Sequence, residues 1–112
     1  MRTPIALLAA AWLASAGLFA APQPPPPTQT VKQYCAGCHS DRGKAGGLSL
    51  AEFDATSPAM HADTAERIIR KLRLGMMPPP GAKRPDEGVL TDLRRTLETR
   101  MDARASARPN PG

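Results

Sequence analysis

The chain has 112 residues, 41% of them hydrophobic and 4% aromatic, with 15 Lys and Arg against 10 Asp and Glu for a formal charge of +5. That length holds one small domain. A modest positive charge without interleaved basic and aromatic residues argues against a nucleic-acid binder.

After Arg2 comes an apolar stretch from Ile5 to Ala21 that ends in small residues. A short basic start, an apolar centre and small terminal residues describe a secretory signal peptide. Ala14-Ser15-Ala16 fits the small-x-small cleavage pattern, and Leu18-Phe19-Ala20 fits it less strictly; cleavage is expected after Ala20 or Ala21, giving a leader over 1–21. The rival reading is an uncleaved anchor, since about 17 apolar residues lie at the short limit for spanning a bilayer. Either reading puts the rest of the chain outside the cytoplasm, in a periplasm or an equivalent exported location. Cleavage removes Arg2 and leaves about 91 residues with a charge of +4.

Pro22-Gln23-Pro24-Pro25-Pro26-Pro27 favours an extended helix and reads as a semi-rigid linker over 22–29, with a ligand for a partner domain as the alternative. The expected domain then covers 30–105, followed by an unstructured tail over 106–112. A core of that size rarely suffices without a staple, and Trp12 and Phe19 leave with the leader. Cys35 and Cys38 are the only cysteines, and a disulfide across so short a loop restrains little of the unfolded chain.

The spacing predicts a first helix over Thr30–Ala36, with Val31, Tyr34 and Cys35 on one side. Asp41 to Gly47 is a polar, Gly-rich turn. Leu48 to Phe53 alternates but is too isolated for a sheet, so it is expected to lay Leu48, Leu50 and Phe53 irregularly against the core. A second helix is expected from a cap at Asp63, paired with Glu66, to a stop at Gly75. It buries Ala65, Ile68, Ile69 and Leu72 and turns Arg67, Arg70, Lys71 and Arg73 to water. Met76-Met77-Pro78-Pro79-Pro80-Gly81 is excluded from any helix. A third helix is expected from Pro85 or Asp86 to about Arg104, with Leu90, Leu93, Leu97 and Met101 at helical spacing. The pattern is all-α, with three helices, no repeat and no second domain.

Cys35-Ala36-Gly37-Cys38-His39 is the C-x-x-C-H signature of c-type haem attachment. Two cysteines three apart present both sulfurs to one haem edge, and the adjacent imidazole is placed to bind iron. A thioredoxin-type dithiol needs a βαβ context. A structural zinc site needs four ligands, and Cys35, Cys38, His39 and the lone His61 make a poor set. One haem c also supplies the apolar bulk that the core lacks. A second iron ligand is expected, and Met with His raises the potential. Met60, Met76, Met77 and Met101 are the candidates, with His61 as an outsider. Met101 falls on a core stripe. Met77 is favoured because the three prolines after it stiffen its loop, and Met76 stays open as the alternative.

With these motifs in place, the chain resembles a small class I cytochrome c. More narrowly, Tyr34 to Arg42, Gly46 to Leu50 and Arg70 to Pro79 are similar to the N-terminal haem domain of large exported planctomycete-type proteins. The resemblance implies three helices around one haem, with His39 and Met77 as axial ligands. It departs from the family in two ways. The last helix offers Leu93 and Leu97 where an aromatic usually meets the first helix, which implies a looser contact there. No Pro follows His39 before Pro58, so the carbonyl that usually orients the imidazole has no sequence marker. Arg108 to Gly112 resembles the junction where larger relatives continue.

The function expected is single-electron transfer between redox partner proteins, with no substrate chemistry. Arg70, Lys71, Arg73, Lys83 and Arg84 flank the methionine loop and suit an acidic partner, or else form a solvated face. The alternative function is a haem with an open sixth position that reduces peroxide or senses a gas.

Overall fold

The computed structural model describes residues 21–111, so the expected leader, apart from Ala21, lies outside the described residues. Three α-helices carry the fold, and no strand occurs among the described residues. No helix among them is long and apolar enough to cross a membrane.

The first helix, α1, spans Pro27–Tyr34. It begins earlier than the apolar spacing indicates, because Pro26 and Pro27 take up its N-terminus instead of extending the linker. Proline suits the first helical position, where its missing N–H has no intrahelical partner to lose. The Thr30 amide donates to the Pro26 carbonyl, and Thr30 and Val31 are buried. The helix ends at Cys35, whose amide donates to the Val31 carbonyl over 2.9 Å.

The segment 48–53 behaves as its pattern indicates. Leu50 and Phe53 are buried, and Leu48 packs against the same core. Phe53 is the core's aromatic residue, with Val31, Ala55, Ala65, Ile69, Leu93 and Leu97 around it.

The second helix, α2, spans Ala62–Arg73. Asp63 does not cap it: His61 precedes the helix and no side chain caps it. The chain enters through a 3-10 turn, Pro58–His61, and the full burial of Pro58 sets where that turn begins. Asp63 therefore falls inside the first turn, where its charge complements the helix dipole. The stop at Gly75 is as expected, with φ of 62°. The Gly75 amide donates to the Leu72 carbonyl and the Met76 amide to the Lys71 carbonyl, the paired bonds of a Schellman cap.

The third helix, α3, spans Glu87–Ala107. It outruns the expected end at Arg104, and Ala105 and Ala107, both strong helix formers, account for the extension. Leu93 and Leu97 are 1% and 0% exposed and Val31 on α1 is 1% exposed. In place of an aromatic, α3 brings these two buried leucines to the core that Val31 of α1 shares. Arg73 of α2 and Arg94 of α3 both donate to the Glu98 carboxylate. Partial burial works against ionisation of Glu98, yet the two guanidinium groups hold its carboxyl below its ordinary range.

A second carboxylate ties α1 to the loop before Pro58. Asp54 accepts from the Thr28 hydroxyl at 2.9 Å, the Thr56 amide at 2.8 Å and the Thr56 hydroxyl at 2.6 Å. The Thr56 hydroxyl, the Thr56 amide and then the Thr28 hydroxyl lower its pKa from the ordinary value. A carboxyl whose folded pKa is depressed stabilises above its unfolded pKa, and the contribution is lost as pH falls through the folded value. Asp54→Asn should therefore lower the thermal midpoint at neutral pH. The gap from the native chain should close as pH falls below the carboxylate range, as read by calorimetry across pH.

Candidate functional site

The polypeptide reverses after α1 so that the motif lies against its own following loop. The His39 amide donates to the Cys35 carbonyl at 3.0 Å, closing a turn around Ala36 and Gly37. The loop then returns. The Ala45 amide donates to the Cys38 carbonyl at 3.1 Å, and the Leu50 amide to the His39 carbonyl at 2.7 Å. Lys44, Gly46 and Gly47 all hold positive φ, which lets the chain fold back within so few residues.

The same loop orients the imidazole. His39 Nδ1 lies 2.9 Å from the Ala45 carbonyl oxygen, and since that oxygen can only accept, Nδ1 is the protonated nitrogen. Nε2 is thereby left with its lone pair free for a ligand role. This is the carbonyl for which the sequence held no proline marker. Without that marker, the one available signal was the run of glycines that brings Ala45 back to the motif.

Gly43 is needed for the return. A Cβ placed there would sit 2.9 Å from the Cys38 carbonyl oxygen and 3.2 Å from Ser40 Oγ. Its amide donates to Ser40 Oγ at 2.9 Å. Farther along, Ser49 Oγ donates to Asp41 at 2.6 Å, and Arg67 on α2 donates to the Gly46 carbonyl at 3.3 Å.

Three of the four expected site residues line one cavity of about 540 Å³: Cys35, His39 and Met77. Leu48, Leu50, Ile68, Leu72 and Leu93 make apolar walls, and exposed Arg67, Arg70 and Lys71 also border it. Cys38 is exposed beside it and is not part of the lining. Among the other candidates, Met60 is 80% exposed and Met76 47% exposed, and neither they nor His61 and Met101 line the cavity. Met101 packs on the core, as its helical spacing indicates.

Both cysteines are free. Burial pushes the Cys35 thiol up to about 11, so it is neutral at physiological pH. That is contrary to the low-pKa thiolate of a thioredoxin-type motif. An apolar cavity with thiol, imidazole and thioether groups fits a large flat apolar cofactor holding a soft or borderline metal. No cluster of three or more His, Cys, Asp or Glu residues that could hold a bare metal ion occurs among the described residues.

The cations around the methionine loop are mostly engaged. Arg73 bonds Glu98 at 2.7 Å. Arg84 reaches the Pro78 carbonyl at 2.8 Å and pairs with Glu87. Lys83 stands 5.4 Å above the Tyr34 ring, within cation–π range. Lys71 Nζ lies 3.7 Å from the Met76 sulfur.

Gly43→Ala should cost about 1–3 kcal/mol by forcing the loop off the Cys38 carbonyl. That is equivalent to a loss of at least about 4 °C in thermal midpoint. Gly88→Ala meets open space on the first turn of α3, and should instead raise the midpoint by improving helix propensity. Thermal unfolding of the two variants side by side checks both.

Residues 22–93 match the family described as cytochrome C oxidase, cbb3-type, subunit III. The matched stretch contains α1, the cysteine motif, α2, Met77 and every cavity-lining residue through Leu93. No curated protein and no solved structure matches the chain.

Proposed function

The chain belongs to the c-type cytochrome family of cytochrome C oxidase, cbb3-type, subunit III, and we propose that it is an exported single-electron relay carrying one haem c. Its helices form the small all-α class I fold of such domains, which transfer electrons and do not themselves transform a substrate. The observation that carries the proposal is the shared cavity, where Cys35 and His39 from one end of α1 meet Met77 from the loop after α2.

A haem held there supplies a one-electron iron couple. Cys35 and Cys38 would hold it through two thioethers, each formed by adding an S–H across one vinyl group, which would prevent its loss from an exported chain. His39 would bind it through Nε2, with its tautomer and ring orientation held by the Ala45 carbonyl. Met77 would be the second protein ligand, and its soft thioether would favour the reduced state and raise the potential. Leu48, Leu50, Ile68, Leu72 and Leu93 give the site apolar walls against which the macrocycle would pack. Arg70 is left exposed at the cavity edge to meet an acidic redox partner, with Lys71 beside it against the Met76 sulfur, while Arg73 and Arg84 are committed within the fold.

Spectroscopy of the holoprotein tests the relay. The reduced form should be low-spin and six-coordinate. The Met-to-iron band of the oxidised form should disappear in Met77→Ala and persist in Met76→Ala. Met77→His should lower the midpoint potential. Ready binding of carbon monoxide to the native protein, with a high-spin spectrum, would instead favour a peroxide-reducing or gas-sensing haem.

A further inference from the structure

Met77 is followed by residues that cannot anchor themselves by donating hydrogen bonds. Pro78, Pro79 and Pro80 have no amide protons, so this stretch is fixed only by packing and by what its carbonyls accept. Pro78 is buried. Inside the turn, the Ala82 amide donates to the Pro79 carbonyl at 3.1 Å. From the approach to α3, Arg84 Nη1 donates to the Pro78 carbonyl at 2.8 Å. Its Nη2 pairs with Glu87 at 3.2 Å, where the Arg84 side chain is 37% exposed and that of Glu87 is 73% exposed.

We propose that Arg84 is the positioning residue for Met77, fixing the methionine loop against the start of α3 so that the thioether stays on the iron. The inference rests on Met77 being the axial ligand. Three features make Arg84 suited to the task. A guanidinium donates from two nitrogens in a fixed fork, so one can hold Pro78 while the other is steered by Glu87. A charge-assisted bond is stronger than a neutral one. The Pro78 carbonyl belongs to the residue next to Met77, so movement there passes directly to the ligand. Glu87 sits in the first turn of a helix that buries Leu90, Leu93 and Leu97, which gives the loop a rigid support.

Competition by imidazole in the oxidised holoprotein measures how firmly Met77 is held. Arg84→Met should raise imidazole affinity by about tenfold, the equivalent of about 1.4 kcal/mol, and should weaken the Met-to-iron band. Arg84→Lys keeps a donor and should recover part of the effect. Glu87→Gln leaves the Pro78 bond in place and should change affinity much less. Asp54→Asn serves as a destabilised comparator remote from the loop. Unchanged imidazole affinity in Arg84→Met, or an equal rise in Asp54→Asn, would overturn the assignment. If Met77→Ala leaves the native band intact, the axial-ligand reading itself fails, a different result from an inert Arg84.

Discussion

The site depends on one short return of the chain, in which the backbone of Ala45 engages two parts of the cysteine motif. Its amide holds the Cys38 carbonyl and its carbonyl holds the His39 ring. A single residue thus fixes where the second cysteine lies and how the imidazole faces. Gly43, Gly46 and Gly47 are the conditions for that return: the first avoids a steric clash with the Cys38 carbonyl, and the other two accept positive φ. Leu50 completes the arrangement by donating to the His39 carbonyl while burying its own side chain in the core. The motif and the hydrophobic core are therefore joined through backbone bonds as well as through packing.

The other half of the site is built by stopping a helix. The Schellman cap at Gly75 turns the chain at a defined residue, and the following prolines prevent the helix from resuming. Met76 is left exposed and Met77 lines the cavity. Adjacent methionines of identical chemistry are thereby given different surroundings by the direction in which the chain leaves the cap. Glu98, shared by Arg73 and Arg94, secures the last turn of α2 to α3 just before this point. As a surface pair in a partly exposed setting it adds little stability by itself, but it lies where α2 must be held in register for the cap to aim the loop.

The attachment motif was legible because its spacing is a direct chemical requirement: two thiols and an imidazole in five residues have few other uses. The helical stripes of α2 and α3 were also legible, since 3.6-residue periodicity survives in the apolar positions. The start of α1 was less so. Pro26 and Pro27 resemble linker and helix start equally until Thr30 and Val31 are seen to be buried. The start of α2 was misplaced because Asp63 with Glu66 imitates a capping box, while the actual boundary follows from the burial of Pro58.

By itself the sequence determined the all-α class, the expectation that Cys35, Cys38 and His39 act together, and the preference for Met77, with Met76 as the alternative, as their partner. These follow from local spacing and from the backbone restrictions of proline and glycine, which act within a few residues. Only the tertiary structure decided which carbonyl orients His39, which cations around the methionine loop are engaged, and that Arg84 reaches Pro78. Each of these is a hydrogen bond or ion pair whose geometry depends on how loops return and helices pack. Such geometry leaves no periodic trace in the order of the residues.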